Sequence, residues 1–105
     1  MDIEIFRLHN ERTLTRLERG DEVGAESSLV KLFWAGMSQR FADTAVAVLG
    51  PDALLGPDDE HAVDHGRWIH QMLASRANSI QGGTSEIQRN IIGERLLDLP
   101  REPRP

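Results

Sequence analysis

The sequence predicts an all-α fold, an antiparallel bundle of four helices, on three observations. Apolar residues recur at helical spacing along four stretches. No segment shows the two-residue alternation of a strand, and there is no internal repeat. Glycine, proline and aspartate mark the breaks between the stretches. By length the 105 residues make one small domain, read as residues 1–99 followed by an extended tail at 100–105.

The first helix is read from Asp2 to Arg19, with Ile3, Phe6, Asn10, Leu14 and Leu17 along one stripe. Gly20 ends it, because a left-handed residue closes a helix with little cost when it has no Cβ. The second helix runs from Glu26 to Leu49 and carries Val30, Phe33, Trp34, Met37, Phe41, Ala45 and Val48 at helical spacing. At about 1.5 Å per residue it is roughly 35 Å long. Its aromatic stripe is read as the centre of the core rather than as a cofactor box. Gly50-Pro51 stops it, and a Gly-, Pro- and Asp-rich loop continues to Val63. The third helix is expected over Asp64–Ser79, with Trp68, Ile69, Met72, Leu73 and Ile80 inward. The fourth is expected over Ser85–Leu97. Ile87 and Ile91, in line with Glu94 or Arg95, form one row and Ile92, Leu96 and Leu99 another. Two apolar rows predict burial on more than one side, in part by another subunit. The tail Pro100-Arg101-Glu102-Pro103-Arg104-Pro105 cannot continue a helix and is read as extended.

Composition removes several classes of function. Seventeen acids against 12 bases give a net charge of −5, with no basic stripe interleaved with aromatics, so a nucleic-acid partner is not expected. Cysteine is absent, which removes disulfides and thiolate chemistry. No apolar run approaches the roughly 20 residues that span a bilayer. Met1-Asp2-Ile3-Glu4 lacks a signal-peptide pattern, and a cytoplasmic setting is expected.

The most informative segment is Ser75-Arg76-Ala77-Asn78-Ser79-Ile80-Gln81-Gly82-Gly83-Thr84-Ser85-Glu86-Ile87-Gln88-Arg89-Asn90. The paired glycines permit positive φ and close approach by another molecule. Thr84 offers a hydroxyl to cap the helix that follows. A helix start of this kind favours an anion such as a phosphate, and the alternative is a plain capped turn. Helices rather than strands flank the glycines, so the dinucleotide fingerprint of a parallel sheet does not apply. No Ser/His/Asp triad or Walker loop is present. His61 and His65 are four apart with Asp64 beside them, a spacing to check for metal. They lie in a Pro- and Asp-rich stretch, read as a solvated acidic loop, and no metal is assigned. His9 and His70 are read as surface or core-edge residues. Arg76, Arg89 and Arg95 either grip phosphates or pair with acids, pairing being the default reading.

Extended through Ile91-Ile92-Gly93-Glu94-Arg95-Leu96-Leu97-Asp98-Leu99-Pro100-Arg101-Glu102, this segment closely resembles the C-terminal end of the acyl-CoA dehydrogenases. These are flavoenzymes that desaturate acyl-CoA thioesters. The resemblance is dense from about Leu29 to Glu102. It implies FAD as cofactor, contacted by the residues matching Thr84, Ser85 and Glu86, and acyl-CoA at the residue matching Gly83. It implies a dinucleotide that reaches a neighbouring subunit, in a homo-oligomer or with a larger dehydrogenase subunit. Family members carry an N-terminal helical domain and a β-barrel before a C-terminal helical bundle, and only the last matches here. Many relatives place the catalytic glutamate directly before the Gly-Thr-Ser string, and here this chain departs from them: the residue matching that base is Gly82. No catalytic residue is therefore assigned, and Glu86, four residues on at a helix start, is no substitute. Many relatives also have a flavin-contacting glutamine before a glycine pair, where this chain has Ala47 and Gly50-Pro51.

The expectation is the C-terminal domain, or a truncated homologue, of an FAD-dependent acyl-CoA dehydrogenase, inactive alone. The alternative is a non-catalytic helical module that self-associates or docks on a larger dehydrogenase subunit. A third reading is a remnant without function, which would expose apolar surface.

Overall fold

The computed structural model describes residues 1–101 and Pro103; the expected tail positions Glu102, Arg104 and Pro105 lie outside the described residues. The described residues form helices and connections, with no strand among them. The four α-helices are α1 (Asp2–Glu18), α2 (Glu26–Leu49), α3 (Arg67–Ser75) and α4 (Ser85–Leu96). Short 3₁₀ turns occupy Gly50–Leu54, Val63–Gly66 and Arg76–Ser79. The chain divides into two compact units, Met1–Trp34 with Gly83–Pro105, and Ala35–Gly82, so that α2 supplies residues to both.

In the first unit, α1 ends as its sequence predicts. Arg19 caps it, Gly20 turns left-handed at φ 80°, and two amides return to the last turn. Gly20 N–H donates to Leu17 O at 2.9 Å and Asp21 N–H to Arg16 O at 3.0 Å, the pairing that satisfies orphan carbonyls. Arg16 then reaches Glu26 at the start of α2 and so ties the two helices across their connection. The covered stripe of α1 is Phe6, Asn10, Thr13 and Arg16, each half-buried. The expected stripe is corrected here: Ile3, Leu14 and Leu17 are more than half exposed, Ile3 and Leu14 to one side of the line through Phe6, Asn10 and Thr13, and Leu17 on that line in the last turn of the helix.

In the second unit, the packing seam runs along small residues. Ala35 and Ala42 are 1% and 0% exposed, seven residues apart on one face of α2, and Ser75 of α3 and Ala53 are buried as well. Hydrogen bonds line the seam. Gln39 Nε2 donates to Ser75 O at 3.2 Å and to Ser79 Oγ at 3.3 Å, and Asn78 Nδ2 donates to Ser38 Oγ at 3.1 Å. Arg76 pairs with Asp43. The large apolar residues flank this seam instead of filling it. Phe41 is 51% exposed, although its ring still lies 6.1 Å from that of Trp68, and Val48 is 80% exposed. This corrects the expected stripe of α2 at Phe41 and Val48, while Val30, Phe33, Trp34, Met37 and Ala45 are half-buried. Short side chains at the contact line let the elements approach closely enough for the Gln39 and Asn78 side chains to bond across it, which an aromatic stripe there would prevent.

The third helix is shorter than expected. Asp64 and His65 adopt left-handed φ of 49° and 54°, and Gly66 follows at 70°, so the α-helix begins only at Arg67. It tightens into a 3₁₀ turn after Ser75. Trp68, Ile69 and Met72 are half-buried as expected, but Leu73 and Ile80 are exposed. The fourth helix matches to within one residue at its end, where Leu97 is the cap and Asp98 turns left-handed. Ile91, Ile92 and Leu96 are half-buried, while Ile87 and Leu99 are exposed. No helix among the described residues is long and apolar enough to cross a membrane.

Candidate functional site

The glycine pair forms the turn that its sequence predicts. Gly82 and Gly83 have φ of 65° and 92°, both in the region that L side chains avoid. A Cβ at Gly82 would meet nothing within 4 Å. A Cβ at Gly83 would lie 2.5 Å from Gln88 Nε2, on a side chain buried one turn into α4. Gly82 is thus held as glycine by conformation alone, and Gly83 by conformation and contact together.

Thr84 caps α4. Its extended backbone, φ −62° and ψ 163°, lets Oγ1 accept from Ile87 N–H at 3.3 Å, and its carbonyl accepts from Gln88 N–H at 2.9 Å. Glu86 follows in the first helical turn, where a negative charge complements the helix dipole. Its own backbone amide first, and then the Thr84 hydroxyl, hold the Glu86 carboxyl below the usual carboxylate value. The charges of Arg89 and Lys31 act in the same direction, against the opposing effect of burial. Arg89 Nη1 lies 3.5 Å from Glu86 Oε1, an ion pair within the helix. Gly83, Thr84, Ser85 and Glu86 therefore stand together as a capped helix start, and Glu86 stands there as an ionised carboxylate rather than a proton donor.

One residue at this turn was not legible as a site residue. Lys31, from the second turn of α2, donates through Nζ to Gly83 O at 2.5 Å, across 52 residues of chain. Its stem also lines a groove of about 290 Å³ in the first unit, with Phe6, Val30 and Trp34 as apolar walls. The signal available in the sequence is a lone cation inside the apolar run Leu29-Val30-Lys31-Leu32-Phe33-Trp34. A charge at that position needs a partner when the helix packs.

The other candidates are placed elsewhere in the chain. His61 and His65 do not share a helix: His61 N–H donates to Asp59 Oδ1 at 2.9 Å, and Asp64 Oδ2 accepts from Trp68 Nε1 at 2.9 Å. Among the described residues no three His, Asp or Glu side chains are grouped to hold a metal ion. Arg76 pairs with Asp43, in keeping with the pairing reading.

Known proteins resemble this chain in sequence. A family model described as "Acyl-CoA dehydrogenase, C-terminal domain" matches residues 1–97. The chain is 40% identical over 81 residues to acyl-CoA dehydrogenase IpdE1 of Mycobacterium tuberculosis, covering 77% of this chain and 20% of that protein. It is also 40% identical over 81 residues to acyl-CoA dehydrogenase IpdE1 of Mycolicibacterium smegmatis, covering 77% of this chain and 20% of that protein. Acyl-CoA dehydrogenase FadE26 of Mycobacterium tuberculosis is 34% identical over 80 residues, or 76% of this chain and 20% of the relative. The chain thus spans about a fifth of the length of these relatives. No solved structure matches it.

Proposed function

The chain belongs to the acyl-CoA dehydrogenase family, and from that premise we propose that it serves as the flavin-contacting C-terminal domain of an FAD-dependent enzyme that desaturates acyl-CoA thioesters. Thr84, Ser85 and Glu86 contact the dinucleotide, and Gly83 lies at the acyl-CoA. The observation that carries this reading is the open, capped turn: two left-handed glycines, empty space beside Gly82 and a threonine-capped helix start in one string. A hydroxyl cap and helix amides suit the phosphates of a dinucleotide. In this reading FAD accepts hydride from the thioester's β-carbon, and the chain's own residues bind and orient. With glycine at position 82, this segment supplies no base for the α-proton, so the domain catalyses nothing alone. Residues 1–99 act as one antiparallel four-helix bundle within a cytoplasmic oligomer, and the partners are acyl-CoA and further dehydrogenase subunits.

A second reading, a helical module that docks on a larger dehydrogenase subunit without touching flavin, draws support from the exposed Ile3, Leu14 and Leu17 of α1. Purifying the tagged chain from its native cells under gentle conditions separates the two. A yellow preparation containing a dehydrogenase partner is expected. A colourless chain, alone or with a partner, would remove the flavin reading and leave the module.

A further inference from the structure

We infer that Lys31 is the positioning residue of the Gly82–Gly83 turn: by holding the Gly83 carbonyl, it fixes the direction in which the following peptide presents the Thr84 amide. The clamp itself stands on geometry alone. Its consequence for cofactor contact rests on the flavin reading given above.

Two left-handed glycines in succession have no Cβ to restrict their peptide planes. At Gly83 a partner of the carbonyl selects the orientation. The peptide between Gly83 and Thr84 is planar and trans, so the Gly83 C=O and the Thr84 N–H point to opposite sides of it. Anchoring that oxygen on Lys31 Nζ turns the Thr84 N–H to the side away from the lysine. The bond is charge-assisted and part-buried, two conditions that make it stronger than an exposed neutral one. Thr84 then fixes the next turn through Ile87 N–H, so a single lysine sets the start of α4. A Cβ on Gly83 would lie 2.5 Å from Gln88 Nε2, so a side chain there would have to displace Gln88.

The lysine also explains why a cation sits in the most apolar part of α2. An ammonium there reaches past the apolar neighbours with its four-carbon stem and ends on a carbonyl rather than on an acid. Its charge is among those that hold the Glu86 carboxyl below the usual carboxylate value.

Isotope-labelled wild-type chain gives the direct test, read by the scalar coupling across the hydrogen bond between Lys31 Nζ and the Gly83 carbonyl carbon. A resolved coupling is expected, and its absence with sharp lysine signals would overturn the clamp without any variant. Lys31→Met should move the Gly83 carbonyl and Thr84 amide signals and leave those of Ser75 and Asn78 in place. Lys31→Arg, which keeps a donor, should restore them in part. Signals at Gly83 and Thr84 that ignore Lys31→Met would also overturn it. FAD titration of the natively purified assembly then separates this inference from the reading it rests on. If wild type binds FAD, Lys31→Met should weaken binding about tenfold, the cost of one charge-assisted hydrogen bond, and Lys31→Arg should regain most of it. Equal affinity in wild type and Lys31→Met would end the role in cofactor contact. No binding by wild type would end the flavin reading, while the coupling still decides the clamp.

Discussion

The turn that leads into α3 and the turn that leads into α4 are both built on left-handed residues, yet they are held for different reasons. Before α3, Gly66 is buried, and a Cβ there would lie 2.9 Å from Leu55 O and 3.0 Å from both Gly56 C and Pro57 N. Backbone fills the space a side chain would need. Before α4, a Cβ on Gly82 would meet nothing within 4 Å, and α4 is capped by a hydroxyl, whereas α3 has no side-chain cap. The first glycine serves the protein's own packing. The second leaves its space open, as a position that a second molecule approaches must. The missing side chain of Gly82 therefore leaves room beside the turn, where that of Gly66 does not.

The strongest way to break the comparison is to put a methyl group at each turn. Gly66→Ala should cost roughly 2–4 kcal/mol, combining a left-handed alanine with overlap against fixed backbone. The midpoint of urea unfolding measures it, and a loss below about 1 kcal/mol would show that the Leu55–Pro57 segment yields. Gly83→Ala should cost roughly 1–3 kcal/mol, since Gln88 must swing out of its buried position. Gly82→Ala should cost only about 1 kcal/mol, for conformation alone. If Gly82→Ala proved as harmful as Gly66→Ala in the same unfolding series, the contrast between an open and a filled turn would fail.

Smaller changes sharpen the contrast. Thr84→Ala should cost about 1 kcal/mol through the lost cap, read as a lower melting temperature. The same variant should raise the Glu86 titration midpoint toward the ordinary carboxylate value, because one of the two bonds that depress it is gone. The sign for wild type follows from that depression. Glu86 adds stability above the unfolded carboxylate value, about 4.3, and loses it as pH falls through the lower folded value. Carboxyl-carbon shifts followed against pH check both statements. At the other turn, His65→Gly should raise stability by about 0.5 kcal/mol, as relief of a left-handed histidine outweighs the extra freedom of the unfolded chain.

How much of this was legible depends on which property carried the signal. Helix ends were legible where a specific residue makes them: Gly20, Gly50-Pro51 and Thr84 place the ends of α1 and α2 and the start of α4. The start of α3 was not, because Asp64 and His65 turn left-handed, a conformation these residue types take more often than most but seldom enough that their presence does not mark it. The core was misread for a related reason. Hydrophobic periodicity finds large apolar side chains, but the seam runs along Ala35, Ala42 and Ser75, whose value is that they are small. The composition of the candidate site, Gly83 to Glu86, was legible as a contiguous string. Lys31 and Gln88 were not, since their roles arise only when Lys31 of α2 meets Gly83 and the first turn of α4 folds back on the glycine.

Hydrogen exchange on the natively purified assembly, stripped of flavin and then reloaded with FAD, tests the central claim most directly. Reloading should slow exchange in peptides covering residues 80–90 and leave those covering residues 58–66 unchanged. Slowing confined to residues 58–66, or no slowing at 80–90 while FAD is bound, would contradict the assignment of the α4 turn as the one open to a ligand.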